Sequence, residues 1–293
     1  MIEKKSPGDM IFVSINYILV TLVAIACLYP MVHVFMGSLS NPLQLIVHTG
    51  PLIRPLGFTT DGYNIVLRNP NIWIGYRNTI YYVVVGTFVN ILFTTLGAYA
   101  LSRANFMFKR TITIGIIFTM YFSGGMIPNF LLVQALGMLD TRAALIIPGA
   151  ITTWNLIVMR TSFQHIPASL EESAKIDGAN DFIILFRIFV PVAKATIAVM
   201  ILFYAVAHWN SWFPALLFIR TRDLLPLQMF LREILIAHAV GGNIAIDADM
   251  ERMHLEQVIR YSTIIVTTVP ILFAYPFAQK YFMSGVMLGS LKE

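Results

Sequence analysis

The side chains able to take part in nucleophilic, acid–base or metal chemistry are few, and their spacing suits none of it. The six histidines, His33, His48, His165, His208, His238 and His254, show no metal-ligand intervals, and neither a His-Glu-x-x-His motif nor a cysteine pair occurs. Ser123, in Phe122-Ser-Gly-Gly-Met126, and His208 could be cast as a nucleophile and its base. Neither carries a motif around it, and Gly124-Gly125 is better explained by helix bending. A Gly-x-x-x-x-Gly-Lys-Ser/Thr phosphate loop is absent, so ATP is expected on another chain, and no catalytic or metal site is expected here. Two groups of residues remain. The first is an amide and aromatic set: Trp154 and Asn155, then His208, Trp209, Asn210 and Trp212. Indole faces can stack on sugar rings and amides can trade hydrogen bonds with hydroxyls. The same side chains also serve as interfacial anchors or helix–helix bonds. The second is a knot of charges, Glu171, Glu172, Lys175, Asp177, Asp181, Arg187 and Lys194.

That knot stands out because charge is scarce: 12% of the 293 residues are charged and 57% are hydrophobic, against about a quarter charged in an average soluble domain. Residues 10–53, 78–102, 111–139, 143–159, 195–219 and 261–279 contain no Asp, Glu, Lys or Arg. Five of these stretches reach the roughly 18 residues that argue for a membrane helix, and the sixth falls one short. A soluble enzyme is excluded. The fold class is all-α, a single polytopic membrane domain over residues 1–293 with six spans, near 11–37, 78–101, 112–135, 143–162, 194–219 and 260–283. Pro30, Pro128, Pro148, Pro214, Pro270 and Pro276 lie inside them, and membrane helices tolerate such breaks where neighbours or a water-filled cavity satisfy the freed backbone. The net charge of +5 belongs to topology rather than to nucleic acid, because the cations sit between apolar stretches. Lys4, Lys5, Arg103, Lys109 and Arg110 place both termini and the loop 163–193 inside the cell. Two long connections, 38–77 and 220–259, then face outward, the second with an amphipathic piece near Leu225–Ile236. The lone Cys27 lies in an apolar run that continues past it, which reads as an uncleaved first span rather than a lipidation site.

The loop that holds the charges reads as two short helices around a glycine. Ser169 and Glu172 have capping-box spacing, Glu171 and Lys175 are four apart in the favourable order, and Gly178 sits where a helix ends left-handed. Asn180 or Asp181 can cap the next helix, and Pro191 is expected to stop it. Leu170 and Ala174 share a face, and the small side chains of Ser173, Ala174, Gly178 and Ala179 permit close approach by another surface. Such a knob suits docking by a partner protein or a helix lying at the membrane interface.

Glu172-Ser173-Ala174, Gly178, Ile188 and Val190-Pro191 resemble, at the same spacing, the Glu-Ala-Ala loop of ABC importer permeases. Ser173 stands where that pattern has Ala, and Val190 where it has Leu. Phe122–Pro128, Leu139–Arg142, Ala207–Trp212, Pro226–Ile234 and the tail from Gln279 extend the likeness to the binding-protein-dependent, maltose-type carbohydrate permeases of the polysaccharide branch, whose usual final Gly is Glu293 here. The resemblance implies the type I importer fold in a bacterial cytoplasmic (inner) membrane. It implies alternating access for an oligo- or polysaccharide, alginate and other uronate-containing saccharides among them, with a neutral oligosaccharide as the alternative. Glu171, Glu172, Ser173, Ala174, Asp177, Gly178 and Ala179 would couple the spans to a dimer of cytoplasmic ATPase subunits that carry the ATP and Mg. A homologous second permease and an extracytoplasmic solute-binding protein would complete the complex, with membrane lipid around it. Asn155, His208, Trp209, Asn210 and Trp212 would line the substrate pathway. A non-transporting scaffold and an intramembrane enzyme are the readings from other classes.

Overall fold

The computed structural model describes residues 7–103, 106–241, 255–273 and 276. In lipid a backbone must satisfy its own hydrogen bonds, and the described residues do so as helices, with one isolated bridge between Ser40 and Phe58. In chain order these begin with α1 (Pro7–Ser38), α2 (Pro42–Val47), α3 (Asp61–Arg68) and α4 (Pro70–Tyr81), the last running through a wide π-type turn, Tyr82–Gly86, into α5 (Thr87–Ser102). Next come α6 (Lys109–Tyr121), α7 (Met126–Ala135), α8 (Ala143–Ile146), α9 (Thr153–Gln164), α10 (Ala168–Ile176) and α11 (Asp181–Ile184). A second π-type turn, Leu185–Phe189, leads to α12 (Val190–Val192), and α13 (Lys194–Trp209), α14 (Trp212–Phe218), α15 (Leu227–Gly241) and α16 (255–273) follow.

The chain divides into two compact units. In the first, Met1–Asn69 with Glu233–Val269, α1 is apolar all round and none of its most hydrophobic window is buried, which suits lipid contact. Pro30 does not interrupt it. The chain then turns back through α2, capped by Asn41 Oδ1 at 3.0 Å from Leu43 N. A 2.6 Å hydrogen bond between Ser38 and Tyr63 hydroxyls ties α1 to α3, where Gly62 lets Ser262 and Val258 of α16 approach closely.

In the second unit, Pro70–Arg232 with Pro270–Glu293, the continuous α4–α5 rod packs along α9. Ala98, Leu101, Leu156, Met159, Phe163, Ile184, Leu185 and Phe189 form its core. Among the described residues, two helices are long and apolar enough to span a bilayer unbroken, Gly8–Ser38 and Pro70–Ser102. The expected span 112–135 is bent by 117° at Phe122–Gly125, where Gly125 has φ +88°. The expected span 143–162 is two helices, α8 and α9, separated by Ile147–Thr152 around Pro148-Gly149, and 194–219 is interrupted at Asn210–Ser211. Pro128 and Pro214 fall in the first turn after such a break, where the missing N–H removes no intrahelical bond. The amphipathic piece expected at Leu225–Ile236 is helical from Leu227 onward. The end of the sixth expected span past residue 276, and the tail from Gln279, lie outside the described residues.

Candidate functional site

The charged loop folds against the end of α5. α9 ends at Gln164, Ile166 is buried, and Pro167 (φ −56°, ψ 135°) forces the chain extended for one residue. Helix α10 therefore starts at Ala168, which places Ser169 inside its first turn. No side chain caps that end, so the Ser169–Glu172 capping box does not form. The other end is as the spacing predicts. Gly178 is left-handed at φ +81°, its N–H donates to Lys175 O at 3.0 Å, and Ala179 N–H donates to Ala174 O at 2.9 Å. This crossed pair is a Schellman motif, and it satisfies carbonyls that would otherwise be orphaned. Asn180 Oδ1 then accepts from Ile183 N at 2.9 Å and starts α11. Pro191 lies within α12 and does not end the helical run. The break comes at Ala193 (φ −88°, ψ 16°), where the axis turns by 86° into α13.

Arg103, the first residue past α5, seats the loop. Its guanidinium forms an ion pair with Glu171, donates to Ser102 Oγ at 2.9 and 3.0 Å, and lies over the Phe189 ring at 4.3 Å and the Tyr99 ring at 5.1 Å. Lys175 Nζ reaches the other oxygen of Glu171 at 2.6 Å. Tyr99 donates to Asp181 Oδ1 at 3.2 Å, which fastens the second helix to the same rod. Burial works against the charged Glu171, but the hydrogen bonds from Lys175 and Arg103 outweigh it and hold the carboxyl below its ordinary range. Lys175 is raised, chiefly by its hydrogen bond to Glu171. Between α5, α10 and α11 lies a cleft of about 620 Å³ bordered by Tyr99, Arg103, Glu171, Lys175 and Asp181.

This seat sorts the predicted coupling residues. Glu171 is turned inward to Arg103, Ala174 is buried, and Ala179 packs on the core. Glu172, Ser173, Asp177 and Gly178 face outward, joined by Ile176 at 86% and Phe182 at 66% exposure. Sequence reasoning missed those two apolar side chains. The available signal was that Ile176 is out of phase with the Leu170–Ala174 face. It also missed Arg103 as the partner of Glu171.

The amide and aromatic residues divide differently. His208 is buried and its Nε2 lies 2.6 Å from Asn90 Oδ1, while Asn90 Nδ2 donates to Gly149 O at 2.6 Å and Ala150 O at 3.0 Å. An amide oxygen only accepts, so the His208 proton sits on Nε2. Ser123 Oγ instead accepts from Gly125 N at 3.2 Å, so the structure does not join Ser123 and His208. Trp209 is buried beside Tyr76, Asn155 is buried on α9, and Trp154 is exposed. Asn210 and Trp212 are exposed at the break between α13 and α14.

No protein-family model matches the chain. The polygalacturonan/rhamnogalacturonan transport system permease protein YtcP of Bacillus subtilis (strain 168) is 38% identical over 289 residues, covering 97% of this chain and 99% of YtcP. Protein LplC of the same organism is 40% identical over 263 residues, 90% of this chain and 88% of LplC. A solved chain from a bacterial ABC transporter involved in the import of the acidic polysaccharide alginate superposes with a TM-score of 0.86 at 33% identity, covering 95% of this chain and 99% of that one. These similarities run across nearly the whole of both chains and agree with the apolar helices of an integral membrane protein. The chain belongs to the family of sugar ABC transporter permeases.

Proposed function

We propose that the chain is the transmembrane permease subunit of an ATP-driven importer and that it carries a uronate-containing oligo- or polysaccharide across the cytoplasmic membrane. The observation that carries the coupling half of this reading is the loop latched by Arg103. Its inward face is pinned to a membrane-length rod, and its outward face presents Glu172, Ser173, Ile176, Asp177 and Phe182. A knob held this way can pass movement of a docked ATPase to α5 rather than absorb it. The substrate half draws on the relatives, since YtcP is named for polygalacturonan and rhamnogalacturonan and the solved transporter for the acidic polysaccharide alginate. In this reading both termini and the loop are cytoplasmic, ATP and Mg belong to a dimer of ATPase subunits, and this chain binds neither. A homologous second permease completes the pathway, and a solute-binding protein delivers the saccharide from outside.

Gly178→Leu tests the coupling. No atom lies within 4 Å of a Cβ at this position, so the variant acts through its φ of +81°. A left-handed L residue costs roughly 1–2 kcal/mol, enough to disturb the Schellman turn without touching the core. Reconstituted complex carrying it should lose uptake while its ATP hydrolysis no longer responds to substrate. Normal uptake with normally stimulated hydrolysis overturns the coupling assignment.

A further inference from the structure

We infer that Arg232, seated on the indole of Trp212, selects for the carboxylate of an acidic sugar, and that the amides of Asn210 and Gln228 take its hydroxyls. The inference deepens the reading above and rests on it.

The four residues meet where α13 gives way to α14. Trp212 opens α14 immediately after the break, inside the charge-free stretch 195–219, and 41% of its surface is open. Gln228 and Arg232 are four apart, hence on one face of α15, and both reach this break. The Arg232 guanidinium lies 5.2 Å from the Trp212 ring centre, and Gln228 Nε2 lies 3.5 Å from Asn210 Oδ1. Asn210 Nδ2 is anchored in turn to Val206 O at 3.0 Å.

Their direction is fixed from beneath. Leu227 N donates to Thr79 Oγ1 at 2.8 Å, and Gly75 lets α15 press onto α4 so closely that a Cβ there would meet Leu227 Cα at 2.9 Å and Phe230 at 2.8 Å. The helix start therefore sits on the α4–α5 rod, and Gln228 and Arg232 project from a set position, which lowers the ordering cost of binding.

Arg232 differs from three half-buried arginines of this unit in what it lacks. Arg103 holds Glu171, Arg142 donates to Asn78 Oδ1 at 3.3 Å, and Arg160 donates to Leu101 O at 3.1 Å. Among the described residues Arg232 has no carboxylate or carbonyl partner, only the indole. A permanent cation beside a charge-free span is costly in lipid and is expected to face a water-filled space or an anion. Its planar fork matches a carboxylate bidentately. A uronate residue offers the matching set: a carboxylate for Arg232, a C–H face for Trp212, and hydroxyls for Asn210 and Gln228. A neutral sugar would leave Arg232 unanswered.

The test compares uptake of a short galacturonate oligosaccharide with its carboxyl-reduced counterpart in proteoliposomes holding the complete transporter and the same binding protein. Wild type should favour the acid, and Arg232→Gln should cut that preference about ten- to a hundredfold, the range of a charge-assisted hydrogen bond. If Arg232→Gln fails to assemble, Arg232→Lys decides. It keeps the charge but loses the fork, and its preference should fall part-way. A variant that assembles and keeps the full preference overturns the role of Arg232. Equal wild-type uptake of both sugars also overturns it and leaves saccharide transport standing. Wild-type uptake of neither sinks the substrate reading on which the inference rests, and the inference with it.

Discussion

Removing the Arg103 guanidinium while keeping its stem, as in Arg103→Met, should release the coupling loop from α5. The magnitude follows from what Arg103 touches. Its pair with Glu171 is largely shielded, with side-chain exposures of 18% and 15%, so a charge-assisted hydrogen bond there contributes about 1.5–3 kcal/mol. The position over Phe189 at 4.3 Å adds about 1 kcal/mol. Glu171 keeps Lys175, which limits the penalty of a stranded charge. A loss of about 2–4 kcal/mol shifts the docked–undocked equilibrium by roughly thirty- to several-hundredfold. Lys175→Met is the matched control. Lys175 is 52% exposed, and an exposed i,i+4 pair contributes only about 0.3–0.5 kcal/mol. Amide hydrogen exchange of the assembled complex in nanodiscs reads this directly at Asp177, Gly178 and Ala179, whose N–H groups bond to Ser173, Lys175 and Ala174. Arg103→Met should speed exchange there more than tenfold and lower sugar moved per ATP, with Lys175→Met within about threefold of wild type. Unchanged exchange in Arg103→Met, or an equal effect of Lys175→Met, refutes the assignment of the latch to Arg103.

Two further outcomes concern the polar contacts that hold the broken helices. Asn90→Leu strands the His208 Nε2–H in a buried place and takes the donor from the Gly149 and Ala150 carbonyls at its edge, so thermal unfolding in detergent should show a loss of about 1–3 kcal/mol, and an unchanged midpoint would contradict the lock. Asp140, itself at φ +58°, accepts from Thr221 Oγ1 at 2.6 Å, Thr221 N at 2.7 Å and Arg220 N at 2.8 Å, and these bonds hold its carboxyl below the ordinary range. Because the folded value is depressed, the contribution is complete above the usual carboxylate value of about 4 and disappears as pH falls through the lower, folded value. Protection of the Arg220 and Thr221 amides should thus persist at pH 5 and fail only in stronger acid, whereas Asp140→Ala removes it throughout; loss in wild type above the ordinary value would sink the clamp.

What could be read along the chain was what the chain settles within a turn or two. Glu171 and Lys175 pair because they are four apart, and Gly178 goes left-handed because the helix must end there. The neighbouring Ser169 box failed for an equally local reason: the helix starts after Pro167, two residues too early for Ser169 to cap it. Arg103 lies 68 positions from Glu171, and no spacing rule connects them. The spans hid their inner faces for a different reason. With lipid as the outer solvent, both faces of a helix are apolar, and hydrophobic periodicity no longer says which side packs. Proline was a poor guide to the breaks, since Pro30 sits inside an intact helix while Pro128 and Pro214 follow breaks already made at Gly124-Gly125 and Asn210-Ser211. A break frees carbonyls that lipid cannot satisfy, so polar side chains must meet them. Asn90 comes from another helix to Gly149 and Ala150, whereas Asn210 and Ser211 donate locally to Val206 O and His208 O, with Gln228 reaching the Asn210 side chain. The scattered amides of this apolar chain are therefore tied to its interruptions. An amide that ends buried, as Asn90 does, holds the helices together, and amides left exposed, as Asn210 is, remain available to a solute.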